Sequence, residues 1–241
     1  MKEVRFFYNP DAQCGVLPDE EAAHAVRVLR LAEGDEIFVM DGKGMYYAAI
    51  IDEASKKHCR YHITEFLPQQ KQWEGHLHLA MGPTKNMDRT EWLAEKATEI
   101  GFDELTFLDC QFSERHVIKD ERIDKILVSA MKQSHKPTLP VLNSMTAFDR
   151  FISQEHTGQK YICHCYSDDL PLLKDKLNEQ PNADAIVMIG PEGDFSIEEV
   201  KRAEAAGFVS VSLGKSRLRT ETAALVAVHL MQLNASQVKS K

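Results

Sequence analysis

This 241-residue sequence is sparing with cysteine, and what it has forms no pattern. Cys14, Cys59, Cys110, Cys163 and Cys165 are scattered and odd in number, with no CxxC and no companion pair of histidines. That argues against a disulfide framework and a structural zinc, and reads as reduced core thiols, Cys163 and Cys165 alternating with His164 as on a strand. No apolar run approaches the roughly 20 residues that cross a bilayer. The start, MKEVRFFYNPDAQ, lacks the apolar core of a signal peptide, so the chain is expected in the cytoplasm with no membrane partner. Basic charge is also short, with 29 Lys and Arg against 37 Asp and Glu, a net charge of −8. A nonspecific polyanion binder, and DNA as a partner, are disfavoured; a specific RNA met through a local basic patch is not. Finally, there is no Walker A sequence and no GxGxxG, which disfavours a phosphate-cradling nucleotide site and a dinucleotide enzyme.

With 43% hydrophobic and 27% charged residues, the composition suits a globular protein long enough for two small domains. The most informative stretch lies near the carboxyl end. Ala185–Ile189 and Val209–Leu213 have the length and β-branched content of buried strands. Each runs into a glycine loop, GPEG from Gly190 and GKSRLRT from Gly214, and each loop into a helical pattern. The first helix has Ser196 as N-cap with Glu199 as capping-box partner and stops at Gly207; the second covers about Thr222–Leu233. Two strand–loop–helix units in succession predict neighbouring parallel strands with both loops at one sheet edge, where α/β folds bind ligands. Gly190, Gly193 and Gly214 would let a ligand approach the backbone closely. Taken singly, each loop reads equally as an ordinary βα turn; the pair, with Arg217, Arg219, Thr220, Glu221 and Thr222 gathered in the second, points toward a site.

Upstream, residues 1 to about 70 read as β-rich. Arg5–Tyr8 is a short apolar run, Glu20–Val28 a turn and helix, Asp35–Met40 and Met45–Ile51 a hairpin across Asp41-Gly42-Lys43-Gly44, and Cys59–Phe66 a further strand. Pro68–Gln72 is polar and serves as linker. From residue 73 strands and helices alternate: His76–Met81, a helix Met87–Ile100 with Leu93, Ala97 and Ile100 on one face, Glu104–Cys110, an irregular Phe112–Ile118, a helix Asp120–Ser134, polar helical stretches Asp149–Gly158 and Asp168–Gln180, and a strand Tyr161–Tyr166 between them. This alternation implies a mostly parallel sheet covered by helices; periodicity alone suggests an open doubly wound sheet. His164, near the end of its strand, reads as a core histidine that is also within reach of the ligand edge. Ser236–Lys241 is a polar tail.

GPEGDFS, followed about 20 residues later by LGKSRLRTETAA, resembles the signature of the RsmE-type small-subunit rRNA uridine-N3 methyltransferases of the SPOUT class. The usual pattern there is GPEGGF and LGxRILRxETA; Asp194 stands where the second glycine of the pair is usual. His24-x-x-Arg27-Val28-Leu29-Arg30 with Gly34-Asp35 is similar to the family's HxxRVLR…GD element. Lys85, Arg89 and Glu95–Gly101 resemble its K(G)DR…QKxTELG element, and Lys132–Pro140 its EQSxRxxxP element, so the resemblance covers nearly the whole chain.

The resemblance implies an α/β fold: a PUA-like β-barrel RNA-binding domain over 1–71, then a SPOUT domain over 72–241 with a parallel sheet, a carboxyl-terminal trefoil knot and a homodimer. It implies S-adenosylmethionine (SAM) as cofactor and, as substrate, one uridine near the 3′ end of 16S rRNA in the small ribosomal subunit. SAM would be held mainly by backbone from three loops: at His164; at Ile189, Gly190, Pro191, Glu192 and Gly193; and at Leu213, Gly214, Leu218, Arg219, Thr220, Thr222 and Ala223. Arg219 is the expected catalytic stabiliser. Glu221 is either a base or a partner orienting Arg219, its place at a helix start favouring the ionised form. Arg5, His24, Arg27, Arg30, Lys85, Arg89, Arg115, Lys132 and Gln133 are the expected RNA contacts; each alone reads equally as solvated charge. Another SPOUT RNA methyltransferase, acting on tRNA or 23S rRNA, and a non-catalytic RNA-binding assembly factor are the alternatives.

Overall fold

The computed structural model describes residues 5–55, 58–167 and 169–236. The chain forms two compact units: residues up to Lys71 together with Met131–Leu139, and Gln72–Ala130 together with Pro140 onward.

The first unit is built on a four-stranded sheet, β1 (Phe6–Tyr8), β2 (Glu36–Met40), β3 (Met45–Ala54) and β4 (Cys59–Pro68), in that order. β1 runs parallel to β2, and the other pairs are antiparallel. The hairpin between β2 and β3 turns as its sequence demands. Gly42 and Gly44 take positive φ, 71° and 101°, and the Asp41 carboxylate accepts from the amides of Lys43 and Met45. Alternating residues Ile37, Val39, Tyr47, Ala49, Ile51 and Tyr61 form the core with Phe7. A short helix, α1 (Asp19–Ala23), runs into a π-helical turn over His24–Val28, which ends at Arg30 with a positive φ of 54°. Met131–Leu139 joins this unit: Leu139 N donates to Gly42 O, Gly44 N to Pro137 O and the Tyr46 hydroxyl to His135 O.

The second unit is a six-stranded, wholly parallel sheet in the order β10-β8-β9-β5-β6-β7. Its strands are β5 (Leu77–Met81), β6 (Glu104–Asp109), β7 (Val141–Ala147), β8 (Gln159–Cys163), β9 (Ala185–Ile189) and β10 (Val209–Val211). The connecting helices are α2 (Met87–Ile100), α3 (Asp120–Gln133), α4 (Phe148–Ile152), α5 (Leu173–Leu177), α6 (Ile197–Ala205) and α7 (Thr220–Ala235). Every residue of β5 and β9 is buried, as central parallel strands require. Ala80, Leu108, Ile162, Ile186 and Met188 meet Phe148, Phe151, Phe195, Val200 and Phe208 from α4, α6 and their flanks. α7 packs on β5, β9, α2 and α5. Because all strands point the same way, their strand-to-helix connections open on one edge.

Several boundaries differ from expectation. β9 and β10 are not neighbours: β8 pairs with both, so the chain passes across β8 through α6 to reach the sheet's edge. The Tyr161–Tyr166 strand is shifted to 159–163, because the Cys165 amide bonds to the Asp194 carboxylate instead of a neighbouring strand. β7 was not expected; as a half-exposed edge strand its sequence VLNSMTA shows no clean alternation. The helical stretches 149–158 and 168–180 shrink to α4 and α5, and α7 begins two residues earlier, at Thr220. Asp168, and the tail beyond Ser236, lie outside the described residues.

Candidate functional site

At the carboxyl edge of the sheet the loops after β5, β6, β8 and β9 lock together. Gly82 N donates to Ile189 O at 2.9 Å, and a Cβ added to Gly82 would lie 2.7 Å from the Pro191 ring. Only glycine admits this approach. Lys85 N donates to Glu192 Oε1 at 2.9 Å, and the Arg115 guanidinium donates to Lys85 O at 2.7 Å. The β6 loop reaches the same place: a Cβ on Gly193 would stand 2.8 Å from Phe112 Cβ, and the buried Glu199 carboxylate accepts from Gln111 N as well as from Ser196 N. The Ser196–Glu199 capping box is formed, starting α6 where its sequence placed it.

The β8 and β9 loops meet through Asp194. Its φ is 64°, the left-handed region that Gly, Asn and Asp tolerate best. Its carboxylate accepts from Phe195 N at 2.8 Å and Cys165 N at 3.0 Å, and the Tyr166 hydroxyl donates to Phe195 O at 2.5 Å. His164 begins this loop. Its Nδ1 accepts from Tyr166 N at 3.2 Å, which puts the ring proton on Nε2 in the neutral imidazole, and burial lowers its pKa. Nε2 is buried with no hydrogen-bond partner among the described residues.

The last loop runs from Ser212 to Arg219. Gly214 holds a φ of 117°, and the Ser212 hydroxyl accepts from its amide. Arg219 is the N-cap of α7, with extended backbone and an exposed side chain. Thr220 and Glu221 turn inward and are buried, Thr222 and Ala223 are half-buried, and Leu218 is half-buried just before them. Glu221 does not engage Arg219. Its Oε1 is 3.7 Å from Arg89 Nε on the first turn of α2, and its Oε2 is buried with no hydrogen-bond partner among the described residues.

The edge therefore carries glycine-lined backbone and, among the described residues, buried polar atoms without a hydrogen-bond partner at His164 Nε2, Glu221 Oε2 and Arg115 Nε. Buried polar atoms are seldom left unpaired, so each marks a place for a ligand donor or acceptor. Burial pushes the Cys110 and Cys163 thiols up, away from the reactive thiolate. No group of three or more His, Cys, Asp or Glu residues suited to a metal occurs among the described residues. A cavity of about 670 Å³ lies elsewhere, toward the amino ends of the strands, around His78, Glu104, Thr106 and Asn143. These polar side chains bond to one another, so we read it as a structural network.

The expected RNA contacts divide. His24, Arg27 and Arg30 are exposed around the π-helical turn of the first unit, and Arg5 is half-buried on its sheet. Lys132 is committed to an ion pair with Glu21, whose other oxygen accepts from Tyr8 N, while Gln133 beside it is exposed. In the second unit Lys85 pairs with Glu114 at 2.6 Å, Arg115 braces the Lys85 carbonyl, and Arg89 faces Glu221. Gly82, Phe112 and Tyr166 escaped sequence reading as site residues, and Glu199 was read only as a capping-box partner, because each acts through a contact between loops far apart in sequence.

The sequence matches the RNA methyltransferase domain family over residues 71–232 and the RNA methyltransferase PUA domain family over 17–63. The ribosomal RNA small subunit methyltransferase E of Synechocystis sp. is 31% identical over 87% of this chain and 69% of its own length. Among solved structures, the "probable rRNA-methyltransferase" of Porphyromonas gingivalis superposes with a TM-score of 0.87 at 39% identity, covering 95% of this chain and 99% of that one. The ribosomal RNA small subunit methyltransferase E of Neisseria gonorrhoeae, solved bound to S-adenosyl methionine, superposes with a TM-score of 0.85 at 25% identity, over 96% and 98%. The chain belongs to this family of RsmE-type RNA methyltransferases.

Proposed function

We propose that this chain is a SAM-dependent rRNA methyltransferase that methylates N3 of a single uridine near the 3′ end of 16S rRNA, acting on the small ribosomal subunit. The observation that carries the reading is the joining of the GPEGD loop to the His164–Tyr166 loop, at the sheet edge onto which LGKSRLRT also opens, with glycines at 82 and 193 whose added Cβ would collide with neighbouring loops. A relative with the same fold is bound to the same cofactor. The residues present suit it. Backbone at Ile189–Gly193 and Leu213–Gly214 would flank it, and the orphaned His164 Nε2 and Glu221 Oε2 offer a donor and an acceptor. When bound, SAM supplies an electrophilic methyl carried on a positive sulfonium.

The chain's own part in catalysis is positioning and charge. Uridine N3 carries a proton at neutral pH and becomes a nucleophile as that proton leaves. Arg219, permanently charged and exposed at the start of α7, is suited to stabilise the negative charge that spreads onto O2 and O4. Glu221 serves by holding Arg89 at the same edge. We take the exposed His24, Arg27, Arg30 and Gln133, with the half-buried Arg5, as the RNA contacts of the first unit, a local set that acts despite the net charge of −8. Lys132 contributes by bracing Glu21.

We take the carboxyl-terminal loops to form the trefoil knot and the chain to act as a cytoplasmic homodimer. Val226, Leu230 and Leu233 share one face of α7, and Leu233 is 52% exposed, an apolar stripe suited to a second copy. Among the described residues no helix is long and apolar enough to cross a membrane. Transfer of labelled methyl to isolated small subunits, compared with naked 16S rRNA, 23S rRNA and tRNA, tests the substrate. Transfer to tRNA or 23S rRNA alone would replace it, and SAM binding without any transfer would favour an assembly factor.

A further inference from the structure

The family's usual pattern has glycine where this chain has Asp194. The backbone explains why glycine is usual: φ is 64°, which most side chains resist. It also shows what aspartate adds. One carboxylate oxygen accepts from Phe195 N, its own loop, and the other from Cys165 N, two residues beyond the end of β8. The Tyr166 hydroxyl returns a bond to Phe195 O, and Tyr166 N donates to His164 Nδ1. Thus the carboxylate joins two loops 29 residues apart, and the loop it holds carries His164, whose buried Nε2 has no hydrogen-bond partner among the described residues. A glycine could take the φ and make neither side-chain bond.

We propose that Asp194 is a positioning residue, fixing the His164–Tyr166 loop against the GPEGD loop so that the SAM site is preformed before the cofactor arrives. This rests on the cofactor reading above. It differs from a purely structural role in where its loss is felt. A preformed loop raises cofactor affinity by removing the ordering step, with little effect on the bound reaction.

The test compares the whole protein with Asp194→Gly, Asp194→Asn and Tyr166→Phe. Glycine fits the backbone without strain, so Asp194→Gly should fold. Two readouts are used: SAM affinity by calorimetry with the KM and kcat of transfer, and amide hydrogen exchange across Cys163–Ser167 in the cofactor-free protein. Asp194→Gly should bind SAM about tenfold more weakly, as loss of about one net charge-assisted hydrogen bond implies, raising KM and leaving kcat within about twofold. The Cys165 amide should exchange about tenfold faster. Asp194→Asn keeps one acceptor oxygen and should fall between, and Tyr166→Phe should lose less. Unchanged affinity with a lowered melting temperature, or unchanged exchange at Cys165, overturns the proposal. If the wild type fails to bind SAM, the cofactor reading falls, and the affinity claim with it; slower exchange in the wild type would then support only the loop staple.

Discussion

Glu221 sits beside Arg89, not beside Arg219: its Oε1 lies 3.7 Å from Arg89 Nε, and its other oxygen is buried with no hydrogen-bond partner among the described residues. The start of α7 is thereby tied to the start of α2, and Arg219 is left exposed at the N-cap, two residues before Glu221. If Glu221 acts through Arg89, their losses should not add. Glu221→Gln and Arg89→Ala should each lower methyl transfer about tenfold or more, and the double variant no further than the worse single one. Steady-state kinetics of the four proteins checks this; additive losses would assign the two residues separate roles.

On the proposed mechanism, Arg219→Ala removes the permanent charge that would stabilise the developing anion. Transfer should fall about 100-fold or more, by analogy with the loss of one oxyanion donor, while SAM affinity stays within about twofold. Calorimetry alongside single-turnover transfer separates the two. Unchanged turnover would remove Arg219 from the chemistry.

Gly82→Ala would press a Cβ into the Pro191 ring at 2.7 Å. The loops after β5 and β9 must then part, at a cost of about 1–3 kcal/mol in stability. The expected result is a lower denaturation midpoint and weaker SAM binding together, read by urea unfolding and calorimetry.

Acid stability should depend on His78, buried on β5 beside Glu104, His76, His156 and Thr106. Burial lowers its pKa to about 4, against an upward pull from Glu104. Between the ordinary histidine value near 6.5 and about 4, the unfolded chain binds a proton that the folded chain refuses, so stability falls as pH drops through that window. Glu104, held down to about 2 chiefly by its bond with His76, adds a second loss as pH falls from about 4.5 toward 2. From pH 7 to 5 the His78 contribution is about 2 kcal/mol. Urea unfolding at the two pH values should show that loss in the wild type, and a smaller one in His78→Gln.

Much of this was legible in the sequence. The α2 boundaries, the capping box of α6, the β2–β3 turn and the alternating core of the first unit follow from local rules that leave plain marks: caps, glycines and periodicity. The order β10-β8-β9 left none, because strand neighbours are chosen by packing across α6 and not by sequence proximity. The site divides in the same way. Its glycines and Arg219 stand out as motif residues, whereas the Glu221–Arg89 contact joins positions 132 apart in the chain, and no spacing rule could pair them. Asp194 was visible only as a departure from a glycine; its left-handed φ and its two amide partners gave that departure a meaning.

The central claim is the identity of the modified atom. The direct measurement is transfer of labelled methyl from SAM to small subunits taken from a strain that lacks this gene, followed by mass-spectrometric mapping of the product nucleoside. The account predicts one 3-methyluridine near the 3′ end of 16S rRNA, absent with Arg219→Ala. A methyl on a ribose, on another base or on another RNA would contradict it.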